Sequence, residues 1–113
     1  MDIIKVKANS RTAAVAGAIA GVMRENKHAE VQAIGAGAVN QSVKAIILAK
    51  GYLAEDGMSI YCIPSFVEVD IEGKIRTAVK LSIDIFKETE EAVSYVPQTS
   101  EEEDDVVEDG EIS

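Results

Sequence analysis

The apolar residues of this chain change period several times, and the order of those changes limits the folds open to it. Ile3 to Lys7 alternates, with Ile4 and Val6 on one face and Ile3, Lys5 and Lys7 on the other, so a first strand is expected there. Ala8-Asn9-Ser10-Arg11-Thr12 is a polar connection in which Ser10 or Thr12 is suited to cap a helix. From Ala13 to Asn26 the period becomes helical. Val15, Ile19, Val22 and Met23 share a face, next to a stripe of small residues, Ala14, Gly17, Ala18 and Gly21. A glycine inside a helix costs about 1 kcal/mol relative to alanine, so close approach of a sheet or another helix to that stripe is expected.

Asn26-Lys27-His28 closes the helix, and Glu30 to Gly35 reads as a second strand. A second helix is expected from about Ala38 to Leu53, with Gly51 marking its end. Its apolar side carries Val39, Val43, Ile46, Ile47 and the stem of Lys50; Asn40, Gln41 and Lys44 lie on another side. Period two then returns. Met58, Ile60 and Cys62 alternate with Ser59, Tyr61 and Ile63, and Pro64 marks an edge or a bulge. Val67, Val69 and Ile71 alternate with acids, and Thr77 to Ile85 alternates again. A loop at Glu72-Gly73-Lys74 would pair Ile71 with Ile75 and Asp70 with Arg76. The order β-α-β-α-β-β predicts an α/β sandwich of the α+β kind: a mixed four-stranded sheet with both helices on one face.

This pattern fails beyond residue 87. Residues 1–86 hold ten Lys/Arg against nine Asp/Glu, a balance of +1; residues 87–113 hold one Lys and eleven acids, a balance of −10. A domain over 1–86 followed by a disordered acidic tail over 87–113 is therefore expected, because a like-charge block such as Glu101 to Asp105 buries too little apolar area to offset ordering entropy. With 4% aromatics and no Trp, the core must be built from Ala, Val, Ile and Leu. Such a core is small, which favours a buried dimer interface. The single cysteine precludes an intrachain disulfide and suits a reducing cytoplasm. The N-terminus lacks the pattern of a signal peptide, and no apolar run has the ~20 residues needed to span a bilayer.

The residue types that carry catalysis are thinly represented. His28, the one histidine, reads as a surface loop residue, and Cys62 as a buried, inert thiol; nothing pairs them. No His/Cys cluster suggests a metal. Gly35-Ala36-Gly37-Ala38 sits where a strand opens into a helix, a place that receives phosphate, but Asn40 stands where a dinucleotide fingerprint needs a third glycine. The two glycines otherwise serve a tight turn. Neither an enzyme nor a cofactor is expected. The basic residues fall into three groups: Lys5, Lys7 and Arg11 at the first connection; Lys44 and Lys50 on the second helix; Arg76 and Lys80 on the last strand. Such groups suit a phosphate backbone, or an ordinary solvated surface.

Val15-Ala16-Gly17-Ala18-Ile19-Ala20-Gly21-Val22, the stretch from Gln32 to Ala45, and Cys62-Ile63-Pro64-Ser65-Phe66 closely resemble the stage V sporulation protein S family of bacteria, across residues 2 to 86. Arg76-Thr77-Ala78-Val79-Lys80-Leu81 continues the likeness. That family is similar in fold to the archaeal Alba chromatin proteins. The resemblance implies an Alba-like homodimer with nucleic-acid binding and a role in sporulation or related developmental control. Carried onto this chain, it implies nucleic-acid contacts at Lys7, Asn9, Ser10 and Arg11; at Gly35, Gly37, Asn40, Gln41 and Lys44; and at Arg76. Lys7, Arg11 and Lys44 would meet phosphate, while Asn40 and Gln41 would reach bases or sugars. Two departures lower the affinity expected: the domain is near neutral, and Glu68, Asp70 and Glu72 place acids on the hairpin. The alternative expectation is a protein-interaction module that works through self-association and a protein partner, without nucleic acid.

Overall fold

The structure, a computed structural model, describes residues 3–86. The acidic tail expected over 87–113 lies outside the described residues. The elements are β1 (Ile3–Val6), α1 (Thr12–Asn26), β2 (His28–Ala33), α2 (Ala36–Ala54), β3 (Ile60–Ile71) and β4 (Lys74–Ile85). They form one four-stranded sheet in the order β1-β2-β4-β3. β1 and β2 are parallel, while β4 is antiparallel to both β2 and β3. The α+β order, the mixed sheet and the two helices are as the periodicity predicts.

The core lies between the helices and one face of the sheet. Val6, Val31 and Ala33 meet Leu81 and Ile83 below Ile19, Met23 and Leu53, all buried. Alternation places Lys5, Glu30, Gln32, Lys80 and Ser82 on the opposite, open face. Pro64 sits on β3, which is an edge strand, as a residue without an N–H should. β3 nevertheless runs unbroken through it.

Several local expectations are corrected. Neither Ser10 nor Thr12 caps α1; Arg11 is the N-cap residue and no side chain caps the helix. Ser10 Oγ instead accepts from the Lys7 N–H at 2.8 Å. Ala14, Gly17, Ala18 and Gly21 face outward, and nothing approaches within 4 Å of where a Cβ on either glycine would stand. The small residues that allow close packing are Ala16 and Ala20, one position earlier on the helix. α2 is turned in the same sense. It buries Ala38, Ser42, Ala45, Ala49 and Leu53, and leaves Val43 45% and Ile47 61% exposed. Close seating against α1 and the sheet requires the small face inward. Gly51 does not end α2, which continues to Ala54. β2 starts at His28 rather than Glu30, because Lys27 in the left-handed region (φ 63°) turns helix into strand in a single residue.

The β3–β4 hairpin register also differs from the expected one. Ile71 pairs with Lys74, Asp70 with Ile75, and Val69 with Arg76. The loop has two residues, Glu72 (φ 52°) and Gly73 (φ 85°). Positive φ at both positions is the signature of a type I′ turn, whose twist matches the flanking strands. Asp70 Oδ1 closes it by accepting from the Gly73 N–H at 2.8 Å.

Candidate nucleic-acid interface

Topology brings the three groups of candidate residues to one edge of the sheet. β1 and β2 are parallel and each runs into a helix, so both helices begin at the same edge. β4 runs the other way, and its last pair with β2 is Ala33 with Val79. Lys74 to Ala78, with their partners on β3, therefore extend past that edge as an arm, exposed from Lys74 to Thr77 and buried at Ala78. Ligands gather at such C-terminal strand ends in open α/β sheets.

The first loop is fixed by short-range bonds. Ser10 N–H donates to the Lys7 carbonyl at 3.0 Å and the Ser10 hydroxyl takes the Lys7 N–H, closing a compact turn over Ala8 and Asn9. α2 then holds this turn. Gln41 Nε2 donates to the Ser10 carbonyl at 2.6 Å and to Thr12 Oγ1 at 3.1 Å. The donors of Gln41 are thus engaged within the chain, leaving its carbonyl oxygen to face outward partners. The role of Thr12 is one that reading the sequence missed, since its value as a cap concealed its value as an acceptor from α2.

The two glycines at the start of α2 act for different reasons. Gly35, the N-cap residue, has φ 93° and ψ 156°, a conformation closed to L side chains. Gly37 has helical backbone, but a Cβ there would lie 2.8 Å from the Ala8 Cβ. One glycine supplies conformation and the other supplies space for the loop.

The electrostatics of this edge favour anions. Neither helix has a side-chain cap or an acidic residue in its first turn. Two sets of free N–H groups, each at the positive end of a helix dipole, lie side by side through the Gln41–Thr12 contact. Lys7, Asn9, Arg11 and Asn40 are exposed around them, Lys44 is exposed about two turns further along α2, and Ser10 and Gln41 are half-buried. Arg76 is exposed on the arm, apart from this cluster, opposite Val69. An open groove of about 620 Å³ lies beside the sheet, bordered by Lys5 and Gln32 on the strands, by Lys7 just past β1, and by Val69 to Ile71 on the arm.

His28 and Cys62 lie elsewhere. His28 is not on a loop but opens β2. Its Nδ1 lies 2.7 Å from Asp84 Oδ1, and its Nε2 3.3 Å from Glu30 Oε2. Hydrogen bonding to Asp84, then to Glu30, raises its pKa above the ordinary value. The carboxylates address opposite ring nitrogens and so do not converge on one metal position. Cys62 is half-buried on β3, and burial pushes its thiol pKa up, which disfavours the reactive thiolate. Among the described residues, no helix is long and apolar enough to cross a membrane.

Residues 2–86 match the family model described as Stage V sporulation protein S (SpoVS).

Proposed function

The chain belongs to the stage V sporulation protein S family, and from that premise we propose that it is a non-enzymatic sporulation regulator that binds nucleic acid as a dimer in the cytoplasm. Membership in the family supports the sporulation-related role. The observation that carries the nucleic-acid reading is the joined pair of helix N-termini, free of side-chain caps and of acids in the first turn, with Lys7 and Arg11 exposed beside them and Lys44 exposed further along α2. Free N–H groups and lysine or arginine side chains are the groups that hold phosphates in register.

The acidic tail enters as a competitor. Its balance of −10 over residues 87–113 opposes the near-neutral domain and would occupy the same cations that phosphates need. A titration of DNA and RNA binding against salt tests both parts, using the full chain and a chain ending at Phe86. The shorter chain is expected to bind more tightly at low salt. Lys7→Ala and Arg11→Ala are each expected to flatten the log–log salt slope by about 1. Absence of binding by both chains at about 50 mM salt would remove the reading.

A second reading has its own supporting observation. Large apolar side chains remain exposed: Val43 and Ile47 on the outer side of α2, and Ile63 and Phe66 on β3, the last 78% exposed. Apolar area of this kind suits self-association or a protein partner. Complexes that survive salt, ignore oligonucleotides and contain a second protein would favour an interaction module.

A further inference from the structure

The groove beside the sheet has aliphatic walls, Ile3 and Ile34 on one side and Val69 and Ile71 on the arm. Register sets their faces. Val69 pairs with Arg76 and so shares a face with Lys80, which pairs with Gln32; Ile3 and Lys5 lie beside Glu30 and Gln32 on that same open face. Asp70 alternates to the other face, where its carboxylate closes the turn. The charged side chains left at the groove are the cations Lys5 and Lys7, both exposed. An occupant that suits this surface brings apolar side chains and negative charge together.

The chain carries such a segment. In residues 87–113 the first apolar run after Phe86 is Ala92, Val93, Tyr95 and Val96; Glu90 and Glu91 stand directly before it, and Tyr95 is the one aromatic of the stretch. The exit point favours the same route. Phe86 packs edge-to-face on Tyr61, ring centroids 6.4 Å apart, and Tyr61 shares the open face with Asp84. Lys80, opposite Gln32, is six residues back along β4, about 20 Å at the rise of a strand, and β1 lies two strands across, about 10 Å more sideways. The straight path is about 22 Å, and residues 87–93 span about 23–25 Å when extended. Val93 thus arrives at the groove, with Tyr95 and Val96 to spare. The path crosses Lys80, and His28 already bridges the acids Glu30 and Asp84.

We infer that the segment 92–96 of the same chain seats in this groove, with Val93 and Tyr95 on Ile34, Val69 and Ile71, and with Glu90 and Glu91 against Lys5. A tethered segment avoids most of the entropy cost of association and faces the groove at an effective concentration of the order of millimolar, so a few side chains suffice to hold it. The block Glu101 to Asp105 then follows within reach of Lys7 and Arg11. The inference goes beyond the tail as a diffuse competitor and stands without nucleic acid.

The experiment is methyl NMR of the full chain with no oligonucleotide present. Nuclear Overhauser contacts are expected from the Tyr95 ring to the methyls of Ile34, Val69 and Ile71, and they should persist at about 0.5 M salt, where exposed charges are screened. The double variant Val93→Ser/Tyr95→Ser should shift the methyl signals of the groove and leave those of buried Leu53 and Ile83 in place. Ile71→Ser, at a site 41% exposed, should remove the Tyr95 contacts to Ile34 from the groove side. Absence of these contacts together with groove signals indifferent to the double variant overturns the inference. So do contacts that vanish at high salt, which reduce the tail to diffuse charge, and contacts seen only between labelled and unlabelled copies in a mixed sample, which give the groove to a second copy. None of these outcomes bears on the nucleic-acid reading, which the salt titration tests by itself.

Discussion

Gly37 on α2 and Ala8 in the β1–α1 loop stand so close that a Cβ on Gly37 would lie 2.8 Å from the Ala8 Cβ. The Ala8 Cβ is bonded directly to the loop backbone, whose Cα would itself lie 3.7 Å from the new carbon, so it cannot swing aside as a long side chain would. Gly37→Ala therefore sets two effects against each other. Helix propensity gains about 1 kcal/mol, while forcing a methyl into filled space costs typically about 1–3 kcal/mol. The second dominates, because relief requires moving the turn that Gln41 holds through Ser10 and Thr12. We expect Gly37→Ala to lower the urea midpoint and to weaken oligonucleotide binding more than its stability loss accounts for. An unchanged midpoint with unchanged binding would show that the loop is not held by this contact.

Gly17 and Gly21 make the opposite case on the neighbouring helix. Both are exposed, both have helical backbone, and no atom lies within 4 Å of a Cβ built on either. In the free domain Gly17→Ala and Gly21→Ala should each add about 1 kcal/mol by helix propensity, a rise of roughly 4–8 °C in Tm for a domain of this size. Thermal unfolding and sedimentation of the single and double variants check this together. A loss of stability accompanied by dissociation would mean that a second copy covers the glycine face.

These three glycines show what the sequence conveys and what it withholds. The order of strands and helices is carried by period alone, and the Pro64 edge by the missing N–H. The rotation of each helix is not. In α2 the larger apolar residues Val39, Val43, Ile46 and Ile47 recur at helical spacing, which ordinarily marks the core. Tight seating instead selects Ala38, Ser42, Ala45 and Ala49, and Ser42 can be buried because its hydroxyl donates to the Ala38 carbonyl at 2.8 Å. At the candidate site, the motif resemblance points to the loop and to the start of α2, and parallel strands bring these together. The role of Thr12 depends on a long-range hydrogen bond from Gln41, which leaves no local trace.

The two-residue hairpin turn is the clearest local conflict between residue and conformation. Glu72 is held at φ 52°, where a side chain beyond Asn or Asp is disfavoured. A type I′ turn prefers Asn-Gly. Glu72→Asn should stabilise the domain by about 0.5–1 kcal/mol, and Gly73→Ala, at φ 85°, should destabilise it by about 1–2 kcal/mol. Chemical denaturation monitored by circular dichroism checks both. If Glu72→Asn were destabilising, Glu72 would have to be making a contact that outweighs its strained backbone.

His28 gives the fold a pH dependence whose direction follows from its partners. The ring bridges Asp84 on β4 and Glu30 on its own strand, and Tyr61 of β3 stands opposite Asp84. Hydrogen bonds to the two carboxylates raise the folded-state pKa of His28, against a smaller opposing effect of burial. In the unfolded chain the imidazole returns to about 6.5. Folding then takes up a proton wherever the unfolded imidazole is neutral and the folded one is charged. The stabilisation is fully present below the unfolded pKa and disappears as pH rises through the folded one. Urea unfolding from about pH 5.5 to 8.5 should show the wild-type advantage over His28→Gln shrinking steadily with pH. Subtracting the variant removes the contribution of groups common to both proteins. An advantage that grew with pH would mean that His28 is held neutral in the fold, as a donor to Asp84 alone.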